Sequence, residues 1–168
     1  MYRYLAAGLA ALIAAGAAAA AEQAFPTKPV RLIVPFPAGG GVDIVARSLA
    51  PHLTERWGQQ VVVDNRPGAG ATLGADIAAR AAPDGHNLLL ANTAHAINAT
   101  LFKKLPYDPV KDFEPISLIA TQPSVLVVHN SVAAKSVKEL IAMAKAKPGQ
   151  LNYASSGNGT PPHLSAAM

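Results

Sequence analysis

The sequence has 168 residues, with 14 Lys and Arg against 10 Asp and Glu, five His and no cysteine. That length corresponds to about one domain, and the missing cysteine removes disulfides and thiolate metal sites. The formal charge of +4 comes from scattered residues and short pairs such as Lys103-Lys104, with no basic stripe interleaved with aromatics. That pattern speaks against a nucleic-acid partner.

The first element is a leader. Arg3 supplies a positive start, Leu5 to Ala20 is apolar or small throughout, and Ala19-x-Ala21 is a small-x-small site. This is the pattern of a secretory signal peptide cut before Glu22. The stretch is short and Ala-rich for a membrane span, and polar residues follow at once. A soluble periplasmic or secreted protein is expected.

Val30 to Val34 then reads as a strand buried on both faces, as parallel strands are. PAGGG (37–41) leads into a helix whose face is Val42, Val45, Leu49, Leu53 and Trp57, stopped by Gly58. Pro51 lies inside that pattern and should kink or break it. Val61 to Val63 is a second strand, and NRPGAGA (65–71) is its exit loop. Thr72 opens a helix with Leu73, Ile77 and the alanines inward, ending before the turn Pro83-Asp84-Gly85. Leu88 to Ala91 is a third strand. Strand, helix, strand, helix, strand with short loops predicts a parallel α/β unit.

The rest is less regular. A short helix is expected around Ile97 to Phe102, then loop marked by Pro106, Pro109 and Pro115. Ile116 to Ala120 and Val125 to His129 read as two strands separated by Gln122-Pro123. Ser136-x-x-Glu139 is a capping box for a helix with Val137, Leu140, Ile141 and Ala144 on one face, ended by Pro148-Gly149. Leu151 to Ala154 is a further expected strand, and SSGNGTPPHL enters another helix. The sequence stops at HLSAAM, as that helix begins, which reads as a fragment of a longer protein.

Three loops share one design. PAGGG, NRPGAGA and SSGNGT (155–160) each follow a strand and precede a helix. Glycine lets backbone N–H groups approach a ligand, and a helix start adds unpaired donors and partial positive charge. Such places favour phosphate, sulfate or carboxylate. A nucleotide fits poorly. In GAGATLG the third glycine comes one place late for the dinucleotide fingerprint, and the loop follows the second strand instead of the first. No Gly-Lys-Ser or Gly-Lys-Thr occurs for a P-loop, and no Gly-x-Ser-x-Gly elbow for a hydrolase. The histidines lack metal spacing. His52, His86 and His129 read as surface or packing residues, while His95 and His163 lie beside candidate loops. Asp43, in the first turn after PAGGG, reads as a brace for the loop more than as an anion contact, since its charge would repel one.

The ordered set KPVRLIVPFPAGGGVDIVAR, VVVDNRPGAGATLGAD, AAPDGHNLLLANT, LFKKLPYDPVKDFEPISLIA and ELIAMAKAKPGQLNYASSGNGTPPHLSAAM resembles the substrate-binding proteins of tripartite tricarboxylate transporters, the Bug-type extracytoplasmic receptors. The resemblance covers the chain from about Phe25 onward. It implies an α/β fold of the type II periplasmic-binding-protein kind, with two lobes that each hold a largely parallel sheet flanked by helices. The divisions would be signal peptide 1–21, lobe 1 at 22–123, and a hinge strand with an incomplete second lobe at 124–168. It also implies a monomeric binding protein that is no enzyme and uses no cofactor or metal. Such a receptor would capture a small organic carboxylate (a di- or tricarboxylate, amino acid or aromatic acid) for integral membrane transporter subunits. A sensor receptor for a signalling partner, or a non-functional remnant, are the alternatives. Carried over, the ligand-binding residues are Pro37, Ala38, Gly39, Gly40 and Asp43 in the first loop, and Asn65, Gly68, Ala69 and Gly70 in the second. Thr93 and His95 follow the third strand. Ser155, Ser156, Gly157, Thr160 and His163 match the third motif.

Overall fold

The structure is a computed structural model that describes residues 25–168. The leader and its cleavage site lie outside these residues. Three parallel strands, β1 (Val30–Val34), β2 (Val61–Asn65) and β3 (Asn87–Leu89), form a sheet of order β2-β1-β3. Val30 faces Val61 and Val34 faces Asn65 across one ladder, while Arg31 to Ile33 pair with Asn87 to Leu89 across the other. β1 is therefore central, and Val30, Leu32, Ile33 and Val34 are all buried. The expected run of apolar residues without alternation has this cause: both edges of β1 are paired and both faces covered.

Helix α1 (Gly41–Trp57) connects β1 to β2 and packs on both. The five residues expected on its inner face are only half-buried, and the buried stripe is Asp43, Ala46 and Ala50, one position over. Alanine has no side chain beyond Cβ, so the helix backbone approaches the sheet along that stripe and the larger residues flank it. Gly58 ends the helix in a left-handed conformation (φ 65°), with its N–H on the Thr54 carbonyl. Pro51 does not break the helix. It is exposed, so its ring and missing N–H fall on the solvent side while the Ala46–Ala50 stripe stays on the sheet.

Helix α2 (Thr72–Ala79) follows β2 after a single tight turn at Ala69–Ala71. Its buried residues are Thr72, Gly74 and Ala75, whereas Leu73, expected inward, is half-exposed over Gly68. Gly74 explains the shift. A Cβ there would lie 2.7 Å from Pro35 Cβ and 2.9 Å from the Arg66 carbonyl oxygen, so the helix sits with its backbone against the two strand exits. The late third glycine of GAGATLG thus has a packing reason. Helix α3 (Ala94–Leu101) begins three residues earlier than expected, where the Asn92 carboxamide oxygen accepts the Ala94 N–H at 2.9 Å.

The lead into β1 is tied down. Phe25 meets Trp57 and His86 edge-on at 6.2 and 5.0 Å between centroids. The Thr27 N–H donates to His86 Nε2 at 3.3 Å, and Lys28 pairs with Asp84 at 2.8 Å.

Beyond residue 113 the expectation fails in part. Residues 116–120, 125–129 and 151–154 were expected as strands, and none joins a ladder among the described residues. Leu118 and Val127 are each 81% exposed. A strand exists only where a neighbour takes its N–H and C=O groups, and among the described residues the ladder bonds are those of β1, β2 and β3. The helices there do form. Ser136 Oγ accepts the Glu139 N–H at 3.2 Å to open α4 (Val137–Ala146), and Thr160 precedes α5 (Pro161–Ala167). Among the described residues no helix is long and apolar enough to cross a membrane.

Gly74→Ala is expected to lower stability by about 1–3 kcal/mol through overpacking. A urea titration followed by the fluorescence of Trp57, the only tryptophan, measures it. An unchanged midpoint would mean that α2 does not rest on the strand exits.

Candidate functional site

Parallel strands deliver their exit loops to one edge of the sheet, and in such sheets that edge is where ligands bind. The loop after β1 (37–41) is exposed along its length. Gly39 has φ +82°, and no side chain caps the first turn of α1. The N–H groups that open the helix are therefore free of side-chain acceptors at an edge open to solvent.

Asp43 turns away from that edge. It is 1% exposed. Its Oδ2 accepts the Gly39 N–H at 2.8 Å and Arg47 Nε at 2.9 Å, and its Oδ1 accepts Asn65 Nδ2 at 2.9 Å. Asn65 Nδ2 also reaches the Phe36 carbonyl at 3.1 Å, and its Oδ1 accepts Arg47 Nη2 at 3.1 Å. The Arg47 guanidinium, then the Gly39 and Asn65 donors, hold the Asp43 carboxyl down at about 2. Asp43 and Asn65 thus join the first two loops through their own hydrogen bonds.

The second loop is a left-handed turn. Gly68, Ala69, Gly70 and Ala71 all have positive φ (141°, 46°, 64° and 77°). For the two alanines this costs about 1–2 kcal/mol each. The turn is closed by the Ala71 N–H on the Gly68 carbonyl at 3.0 Å and by Thr72 Oγ1 on the Ala69 carbonyl at 2.9 Å. From α3, Asn98 Nδ2 donates to the Gly70 carbonyl at 2.7 Å.

The third loop comes to the second. A Cβ on Gly70 would lie 2.6 Å from the Asn158 carbonyl oxygen, and one on Gly159 would lie 2.7 Å from Leu101 Cδ2 and 2.9 Å from Asn98 Oδ1. Thr160, 1% exposed, donates its hydroxyl to the Gly157 carbonyl at 2.6 Å. His163 Nδ1 accepts the Gly159 N–H at 3.3 Å. Ser155 and Ser156 remain exposed.

Not every expected residue lies with these. Thr93 is exposed at the start of α3. His95 stacks on Tyr107 at 5.9 Å and meets Phe113 edge-on at 4.8 Å, with Nε2 3.0 Å from the Pro109 carbonyl oxygen. That places its ring in the packing of the 105–113 segment. Three residues at the loops carried no signal in the sequence. Arg47 is one helical turn from Asp43, a spacing that predicts an exposed ion pair but not its bond to Asn65. Asn98 sits inside an ordinary amphipathic helix pattern. Gln122 is 81 residues from Gly41, yet its Oε1 lies 2.8 Å from where a Gly41 Cβ would stand.

The fold is that of a periplasmic binding protein. It matches the solved structure of the periplasmic binding protein BugD with a TM-score of 0.72 at 36% identity, covering 86% of this chain and 48% of that one. It matches MatC from Rhodopseudomonas palustris with bound malate with a TM-score of 0.75 at 36% identity, covering 85% and 49%. The chain belongs to the tripartite tricarboxylate transporter receptor family, whose family model matches residues 45–168. A UPF0065 protein in the tcbD-tcbE intergenic region of Pseudomonas sp. strain P51 is 42% identical over 146 residues, 87% of this chain and 44% of its own length. The chain spans about half the length of these relatives. The family and its solved members are binding proteins and not enzymes.

The Asp43 brace has a pH signature. A carboxyl held at about 2, against 3.8 ordinarily, contributes stability that is complete above 3.8 and is lost as pH falls through about 2. The unfolding midpoint of the native chain should therefore drop more steeply across that window than that of Asp43→Asn. Parallel acid limbs would show that the carboxylate makes no such contacts.

Proposed function

We propose that this chain is part of an extracytoplasmic solute-binding receptor that captures a small organic carboxylate. One carboxylate group of the ligand lies at the start of α1, on backbone N–H groups of the 37–41 and 65–70 loops. The observation that carries this reading is the joining of those two loops at one sheet edge by Asp43 and Asn65. The carboxylate in the first turn of α1, Asp43, is turned inward and paired with Arg47, so the helix start keeps its partial positive charge for an anion. The malate bound to MatC is the same class of ligand in a protein of the same family.

In this reading residues 1–21 export the protein to the periplasm, 22–123 belong to the first lobe, and 124–168 open the second. Ser155, Ser156 and Gly157 would face the ligand from that second side, while Thr160, buried with its hydroxyl on the Gly157 carbonyl, would shape the loop. The receptor would hand its cargo to integral membrane transporter subunits. Recognition by main-chain N–H groups fixes one carboxylate and leaves the rest of the ligand to be chosen elsewhere in the cleft.

The test is a thermal-shift and calorimetric screen of the native protein against malate, adipate, citrate, amino acids and aromatic acids. A true ligand at about 100-fold its Kd adds about 2.7 kcal/mol of stability. Gly39→Asp is the matched control. Aspartate tolerates a positive φ better than most residues, and here it places a negative charge at the helix start. The variant is expected to keep its fold and lose the shift. Absence of any shift in the wild type across the panel would reject the reading.

A further inference from the structure

The junction of the second and third loops is crowded around one side chain. Asn98 is completely buried on α3. Its Nδ2 holds the Gly70 carbonyl at 2.7 Å, while its Oδ1 is buried with no hydrogen-bond partner. Gly159 stands on the other side of that carboxamide, so close that a Cβ would fall 2.9 Å from Oδ1. Gly70 in turn approaches Asn158 closely enough to exclude a Cβ. Asn98 therefore lies between two loops that are nearly ninety residues apart in sequence, bonded to one and packed against the other.

We propose that Asn98 is a positioning residue that sets the placement of the 155–160 loop relative to the 65–71 loop, and through it the affinity of the site. It need not touch the ligand. Its bond to Gly70 fixes the left-handed turn, and its unpaired Oδ1 gives the seated third loop packing without a hydrogen bond. Seating is thus reversible: Gly159 can leave without breaking a bond to α3. The effect on affinity rests on the carboxylate reading above; the coupling between the loops does not.

The experiment is amide hydrogen exchange on the native chain, with Asn98→Ala, Gly159→Ala and the double variant. Gly159→Ala should speed exchange at the Ala71 and Thr72 amides, whose N–H groups close the turn on the Gly68 and Ala69 carbonyls, about tenfold, the size of one lost net hydrogen bond, while β1 is unchanged. The increase should be smaller when Asn98 is already alanine, because the contact with Oδ1 is then gone and the Cβ meets only the end of the flexible Leu101 side chain. The strain of alanine at a positive φ is common to both backgrounds and cancels in the cycle. Changes confined to residues 157–164, or equal in both backgrounds, would overturn the coupling. Where the wild type binds malate or adipate, Asn98→Ala should weaken that binding about tenfold beyond what its stability loss predicts. Unchanged affinity would overturn the effect on the site. A wild type that binds neither acid counts against the carboxylate reading, and the exchange cycle then decides the coupling alone. If Asn98→Ala does not fold, Gly159→Ala still shows whether a change in the third loop reaches the second.

Discussion

The Asp43 carboxylate gathers donors from three parts of the chain: the N–H of Gly39 in the loop before it, Arg47 one turn after it, and Asn65 at the end of the neighbouring strand. A glycine loop has no side chains with which to hold its own shape, and its freedom must be removed by something else. Here one buried acceptor does this for the first loop and ties it to the second. Burial of a charge is tolerated only where it is fully paired, and the Arg47 guanidinium with two neutral donors meets that condition. The brace also decides the sign of the edge, since an outward carboxylate would cancel the field of the α1 amides.

The sheet makes this brace possible. Val34 and Asn65 are paired in the parallel ladder, so the two loops leave side by side at the same height. A slip of one residue would turn the Asn65 side chain to the other face of the sheet. Gly74 adds a second condition, because only a residue without Cβ lets α2 rest against Pro35 and the Arg66 carbonyl. Register and close packing together set where the loop amides stand.

What was legible in the sequence follows from how local its cause is. β1 through α3 were readable because apolar periodicity and Gly58 are local signals, and α4 because the Ser136–Glu139 box is one. The inner stripe of α1 was misplaced by one position because large apolar residues mark a face, whereas Ala46 and Ala50 mark the line of closest approach. The segments at 116–120 and 125–129 have strand-like residues, but a strand depends on a neighbour that composition cannot supply. At the site, the glycine loops and the inward role of Asp43 were legible. Asn98, Arg47 bound to Asn65, and Gln122 over Gly41 were not, since each depends on a distant contact.

The second loop shows why such contacts matter. Four successive residues with positive φ, two of them alanine, do not persist in an isolated chain. They persist here because Thr72 and Asn98 hold the Ala69 and Gly70 carbonyls from two different helices. The ordering of this turn is therefore completed by folding, before any ligand arrives. In the proposed reading, binding is weakened by whatever ordering it must still impose, and a loop already fixed would present its N–H groups without that loss. The third loop is held differently, by Thr160 within itself and by packing against Asn98 and Leu101. One loop is thus fixed by hydrogen bonds from two helices and the other by bonds within itself and by packing; in the proposed reading the second is the side that moves as the site admits its occupant and closes.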